Sequence, residues 1–106
     1  MDITESDWKI YSVKIAEWQE RHMSKLLQDY MMIIAGAGEA SLRFWNLEKR
    51  INKDVNHPGV IVQRKRSNAV IVIIQLLIDG VISAEDLTDF SEELQDHVIR
   101  ASNSFN

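Results

Sequence analysis

The 106-residue chain contains no cysteine, a single proline and four glycines. Without cysteine there can be no disulfide, no thiolate metal site and no cysteine nucleophile. With so few helix breakers, long uninterrupted helices become possible: residues 5–35 contain neither proline nor glycine. A long apolar run is also missing. The greasiest stretch, residues 69–78, is ten residues long and includes Gln75, whereas a membrane-crossing helix needs about 20 apolar residues. The opening "MDITESDWKI" lacks the basic region and apolar stretch of a secretion signal. These absences lead to the expectation of a cytoplasmic protein of one domain, since this length suffices for one core and not for two.

Charge is present but unevenly spread. The net charge is −4. Residues 1–42 carry four cations and seven anions, residues 43–66 seven and two, and residues 67–106 one and seven. A basic middle lies between acidic flanks. Its cations are Arg43, Lys49, Arg50, Lys53, Arg64, Lys65 and Arg66, and they are the candidate anion-binding or partner-binding residues. Against that stands internal pairing with the acidic last segment (Glu85, Asp86, Asp89, Glu92, Glu93, Asp96), in the same chain or in a second copy. The overall acidity favours pairing, because nucleic-acid domains are usually basic.

The apolar period predicts an all-α fold, a four-helix bundle with a long N-terminal helix and a buried third helix. Trp8, Tyr11, Ile15, Trp18, Leu26, Tyr30 and Ile33 recur at helical steps over residues 5–35, with Thr4 or Ser6 as cap. "AGAGEAS" (35–41) closes that helix, and residues 39–53 form a second. The residue before proline avoids helical geometry, which puts a break near His57. A third helix is expected over 58–79, ending at Gly80 in a left-handed turn. Its β-branched runs also suit strands, but two lone strands make a poor sheet. Ser83 and Asp86 have capping-box spacing for a fourth helix over 84–101.

Length then becomes an argument. Thirty helical residues span about 45 Å, while a compact globule of this size has a radius of gyration of roughly 13 Å. The first helix must bend or overhang. An overhang would be oily at Trp8, Tyr11, Ile15, Trp18 and His22, or at its other end, Met31 to Ile34. Homodimerisation through this helix is the expectation, with Trp8, Tyr11, Ile15, Trp18 and His22 as interface residues.

Two motifs touch on chemistry. "IDGVISAEDL" (78–87) resembles the second half of an EF-hand loop, but Leu77 falls where a ligand oxygen is needed and Asp86 is too short for the closing bidentate position. Glu17 and Glu20, with Glu93 and Asp96, resemble the acidic pairs of all-α Mg-dependent nucleotide pyrophosphohydrolases, whose carboxylates gather Mg²⁺. There the pairs sit close along the chain; here 72 residues separate Glu20 from Glu93. The histidines show no zinc spacing and no triad logic. The reading is therefore a non-catalytic, regulatory protein acting through protein–protein contact, homodimeric, with no cofactor or metal. The alternatives are a pyrophosphohydrolase-like enzyme and a weak nucleic-acid-binding module using residues 43–66.

Overall fold

A computed structural model describes residues 1–62 and 65–105. Four α-helices are present: α1 (Glu5–Ala35), α2 (Ala40–Asp54), α3 (Ala69–Ile78) and α4 (Glu92–Asn103). Single 3-10 turns, Arg66–Asn68 and Ala84–Leu87, precede α3 and α4. No strand occurs among the described residues.

The N-terminal helix is one unbroken rod of 31 residues, about 46 Å long. The Thr4 side chain accepts a hydrogen bond from the Asp7 amide and so caps its start. The rod sets the shape of the molecule, 52 Å long and 27 Å and 20 Å across. Its radius of gyration, 16.3 Å, exceeds the roughly 13 Å of a compact chain of this size.

The N-terminal half of the rod belongs to a packed body. Tyr11, Ile15 and Trp18, at 1%, 0% and 2% exposure, join Val70, Ile73, Leu76, Leu87, Phe90, Leu94 and Val98 in one apolar cluster. Trp8 packs against it and stacks on Tyr11, and Trp18 meets the Phe90 ring. The third helix is the most thoroughly covered: five of its ten residues are buried. The C-terminal half of α1 leaves this body and pairs only with α2, making a projecting two-helix arm. Not one residue of α2 is buried.

Two expected boundaries shift. The third helix does not begin at residue 58. Residues 55–60 are turns, Ile61 and Val62 are irregular, and Lys65 is extended. The reason is reach. Gln19 donates to the Pro58 carbonyl, and Arg66 binds Glu5. Fourteen residues of α1 lie between those anchors, about 21 Å, and eight helical residues would cover only about 12 Å. A continuous helix from Pro58 to Arg66 would fall short of the second anchor. The fourth helix is likewise not continuous over 84–101. Ser83 and Asp86 do form a capping box, but it starts a 3-10 turn, and a second cap at Ser91 starts α4. Gly80 takes the expected left-handed conformation, φ 71°.

Candidate interaction surface

The body buries a contiguous apolar cluster, leaving Val13 and Ile71 exposed singly, whereas the arm leaves whole apolar rows uncovered. Along α1, Met23, Leu27, Met31 and Ile34 recur at steps of four, four and three; along α2 and its end, Phe44, Leu47, Ile51 and Val55 recur at three, four and four. Each set therefore shares one side of its helix. Leu27, Met31, Ile34, Phe44, Ile51 and Val55 are all exposed. The two rows flank one shallow groove. Met23, Leu27, Tyr30, Ile51, Val55 and Val60 line one end of it, a cavity of about 200 Å³ with almost wholly apolar walls. Nearer the tip, Phe44, Leu47 and Ile51 line a second, separate hollow on α2 alone. Trp45, 61% exposed, packs edge-on against Phe44 and widens the same surface.

The expected interface residues Trp8, Tyr11, Ile15 and Trp18 are not part of this surface. Their own subunit covers them, because α3 and α4 fold onto the N-terminal half of α1. His22 is half-buried at the root of the arm. The oily overhang is the other end of the rod.

Polar contacts hold the arm together, and they consume much of the basic middle. The Arg50 guanidinium donates to Asp54 at 2.9 Å and Asp29 at 3.1 Å, and lies over the Tyr30 ring. The Tyr30 hydroxyl donates to Asp54 at 2.6 Å. Burial together with this bond to a carboxylate pushes the Tyr30 phenol up to about 12. Burial would raise the Asp54 carboxyl, but the bond from Tyr30 and the neighbouring Arg50 charge outweigh it and hold the carboxyl low. Arg43 donates to the carbonyls of Ile34 and Gly38. It supplies the cation that the last turn of α1 lacks.

The basic patch is thus dispersed. Arg43 and Arg50 serve the arm, Arg66 binds Glu5, and Lys49, Lys53 and Lys65 are exposed. Arg64 lies outside the described residues. Nor do these cations meet the acidic last segment: Asp86 pairs with Arg21 and Asp89 with Lys14, both from α1. The acidic pairs Glu17–Glu20 and Glu93–Asp96 are not gathered either. Among the described residues no three histidine or carboxylate groups come together as a metal site.

Sequence reasoning missed a cluster where the arm meets the body. The Gly59 amide donates to Nδ1 of His57 at 2.9 Å. That nitrogen must be unprotonated, so Nε2 carries the hydrogen and donates to Asp79 at 2.6 Å. Gln75 donates to the same carboxylate oxygen. The His22 ring faces that of His57, centroids 5.3 Å apart, and lies against Gly59. Burial and the neighbouring His57 lower the His22 pKa. Burial would raise the Asp79 carboxyl, but bonds from Gln75 and His57 win and hold it low. An open cleft of about 550 Å³ beside this cluster is walled by cations and carboxylates in balance, among them Arg21, Lys25, Asp29 and Asp86.

Fold and surface together define an all-helical protein with a packed body and a projecting amphipathic hairpin. No family model matches the chain, and no curated protein and no solved structure matches it. No helix among the described residues is long and apolar enough to cross a membrane.

Proposed function

We propose that this is a regulatory protein that acts by protein–protein contact rather than catalysis, and that its arm docks on the arm of a second copy. The observation that carries the proposal is α2: a 15-residue amphipathic helix with no buried residue. A lone helix of that length is marginal in water, and contiguous apolar surface beyond a few hundred Å² marks an interaction site.

Two features favour a second copy as the occupant. The exposed rows on the two helices match in length, 12 residues each, so an identical hairpin completes a four-helix packing unit. Arg43, Glu48, Arg50 and Asp54 are bonded within the arm, and the remaining charges of α2 and its cap are Glu39 at the tip and Lys49 and Lys53 toward the root. An antiparallel copy sets Glu39 of one arm near Lys53 of the other, whereas a parallel copy would set like against like. Closed two-fold dimers are also the commonest assembly.

Sedimentation velocity across ~1–100 µM tests this. The expected result is a dimer that the double substitution Leu27→Glu, Ile51→Glu converts to a monomer with unchanged helical circular dichroism. A wild-type chain that stays monomeric throughout that range overturns the proposal.

A further inference from the structure

The histidine cluster lies beneath one end of the docking groove, and its geometry points to control of that groove by acid. Val60 lines the groove, and the turn that places it is tied at His57. The Val60 and Ile61 amides both donate to the His57 carbonyl at 2.9 Å, and the Gly59 amide donates to the ring. On the far side the ring is anchored to Asp79, the C-cap of α3. We infer that His57, held between Gly59 and Asp79 and facing His22, is a latch that fixes the 55–62 turn against the body and releases it on acidification.

The chemistry follows from one nitrogen. Nδ1 of His57 is the only acceptor that the Gly59 amide is given. Histidine gains its second proton between pH 8 and 5. Once Nδ1 is protonated it becomes a donor, and two N–H groups then face each other inside a contact from which water is largely excluded. Gly59 is buried, so its amide cannot turn to solvent without moving the turn.

The charges around the ring come from every element packed there. His22 on α1 faces His57 and repels it when both are charged, and Asp79 at the end of α3 attracts both rings; Lys25 on α1 and Asp54 at the end of α2 act on His22, the first against its charge and the second in favour of it. Asp79 is already bonded in the neutral state and already shared with Gln75. Protonation therefore adds charge to that bond without adding a bond, while it removes the Gly59 bond outright. A second proton on His22 would place two cations face to face, with ring centroids 5.3 Å apart. The balance turns against the closed turn as the pair charges.

The effect on docking rests on the arm-to-arm reading; the latch itself does not. The test is nuclear magnetic resonance of the full chain, following exchange protection of the Gly59 amide, corrected for intrinsic rate, from pH 7.5 to 5.0. Protection is expected to fall at least tenfold with a midpoint in the histidine range. In His57→Gln it is expected to be low at every pH. In His22→Phe, which keeps an aromatic plane under Gly59 without a charge, the fall should be smaller, because the repulsion between the two rings is gone. Undiminished wild-type protection at pH 5.0 overturns the inference, and so does an equal fall in His57→Gln. Repeating the titration on Leu27→Glu, Ile51→Glu separates the two ideas. The same fall in that monomeric chain supports the latch independently of dimerisation, and loss of the response there shows that the groove's occupant, not His57, controls the turn.

Discussion

The Asp7 carboxylate accepts a 2.6 Å hydrogen bond from the Ser91 hydroxyl, although 84 residues separate them in sequence. The Ser91 amide donates to the other carboxylate oxygen at 2.9 Å, and the Ser91 hydroxyl oxygen in turn accepts from the Leu94 amide. One buried acid in the first turn of α1 thus completes the cap of α4 and fixes the two ends of the chain together. Replacing Asp7 with Ala removes both bonds to Ser91, which is exposed and turns its donors to water. The expected loss is about 1–2 kcal/mol, read as a lower midpoint in urea denaturation with an unchanged slope.

Gly59 illustrates a contest of two effects. Ala in place of Gly reduces the freedom of the unfolded chain, worth about 0.4–1 kcal/mol in favour of folding. A methyl group at this position, however, overlaps Cδ2 of the His22 ring, and overpacking costs typically 1–3 kcal/mol. The clash should win. Gly59→Ala is expected to destabilise by about 1–2 kcal/mol, and adding His22→Ala should recover part of that loss, a non-additivity that a double-mutant cycle measures.

Gly80 offers the complementary case, strain without a clash. Its φ is 71°, and an added methyl group would meet nothing within 4 Å. Gly80→Ala should therefore cost only the left-handed backbone penalty, about 1–2 kcal/mol, with the turn between α3 and the Ala84–Leu87 segment unchanged in structure.

Stability should fall at both ends of the pH scale for identifiable reasons. His22 has a lowered pKa in the folded protein, so the unfolded chain binds its proton first. Its contribution is complete above the ordinary value of 6.5 and is lost as the pH falls below it. Tyr30 behaves as an acid held protonated, with its pKa moved from 10.0 to about 12. The unfolded chain ionises first, so stability is constant below pH 10 and declines between pH 10 and 12. Denaturant midpoints from pH 5 to 11 should show both declines. Tyr30→Phe should abolish the alkaline one, at a cost near neutrality of about 1 kcal/mol for the lost bond to Asp54.

How much of this was legible in the sequence depended on whether the decisive contact was local. The long α1, its Thr4 cap, the Ser83–Asp86 box and the Gly80 terminator are local, and each was readable. The apolar row of α1 runs from Trp8 to Ile33 with His22 filling the eight-residue step between Trp18 and Leu26, however, and periodicity cannot say which half the rest of the chain covers. That was decided by the return of α4 to Asp7, a contact with no short-range trace. The basic middle pairs with an acidic flank as expected, through Arg50–Asp29 and Arg66–Glu5, but with the first flank and not the last. Arg66 and Glu5 are 61 residues apart, and a count of charges along the chain cannot see them meet. The extended turn after Pro58 was hidden because its length answers to the distance between two anchors on α1, not to the residues within it.

The arm closes from neighbours in sequence, whereas the body closes only when the last helix meets the first turn of the first. A ribosome delivers the two in that order. During synthesis the hairpin with its oily flank can form while Tyr11, Ile15 and Trp18 still await α3 and α4. The nascent chain therefore offers two uncovered apolar faces at once, one that α3 and α4 later cover and one that stays exposed in the folded chain.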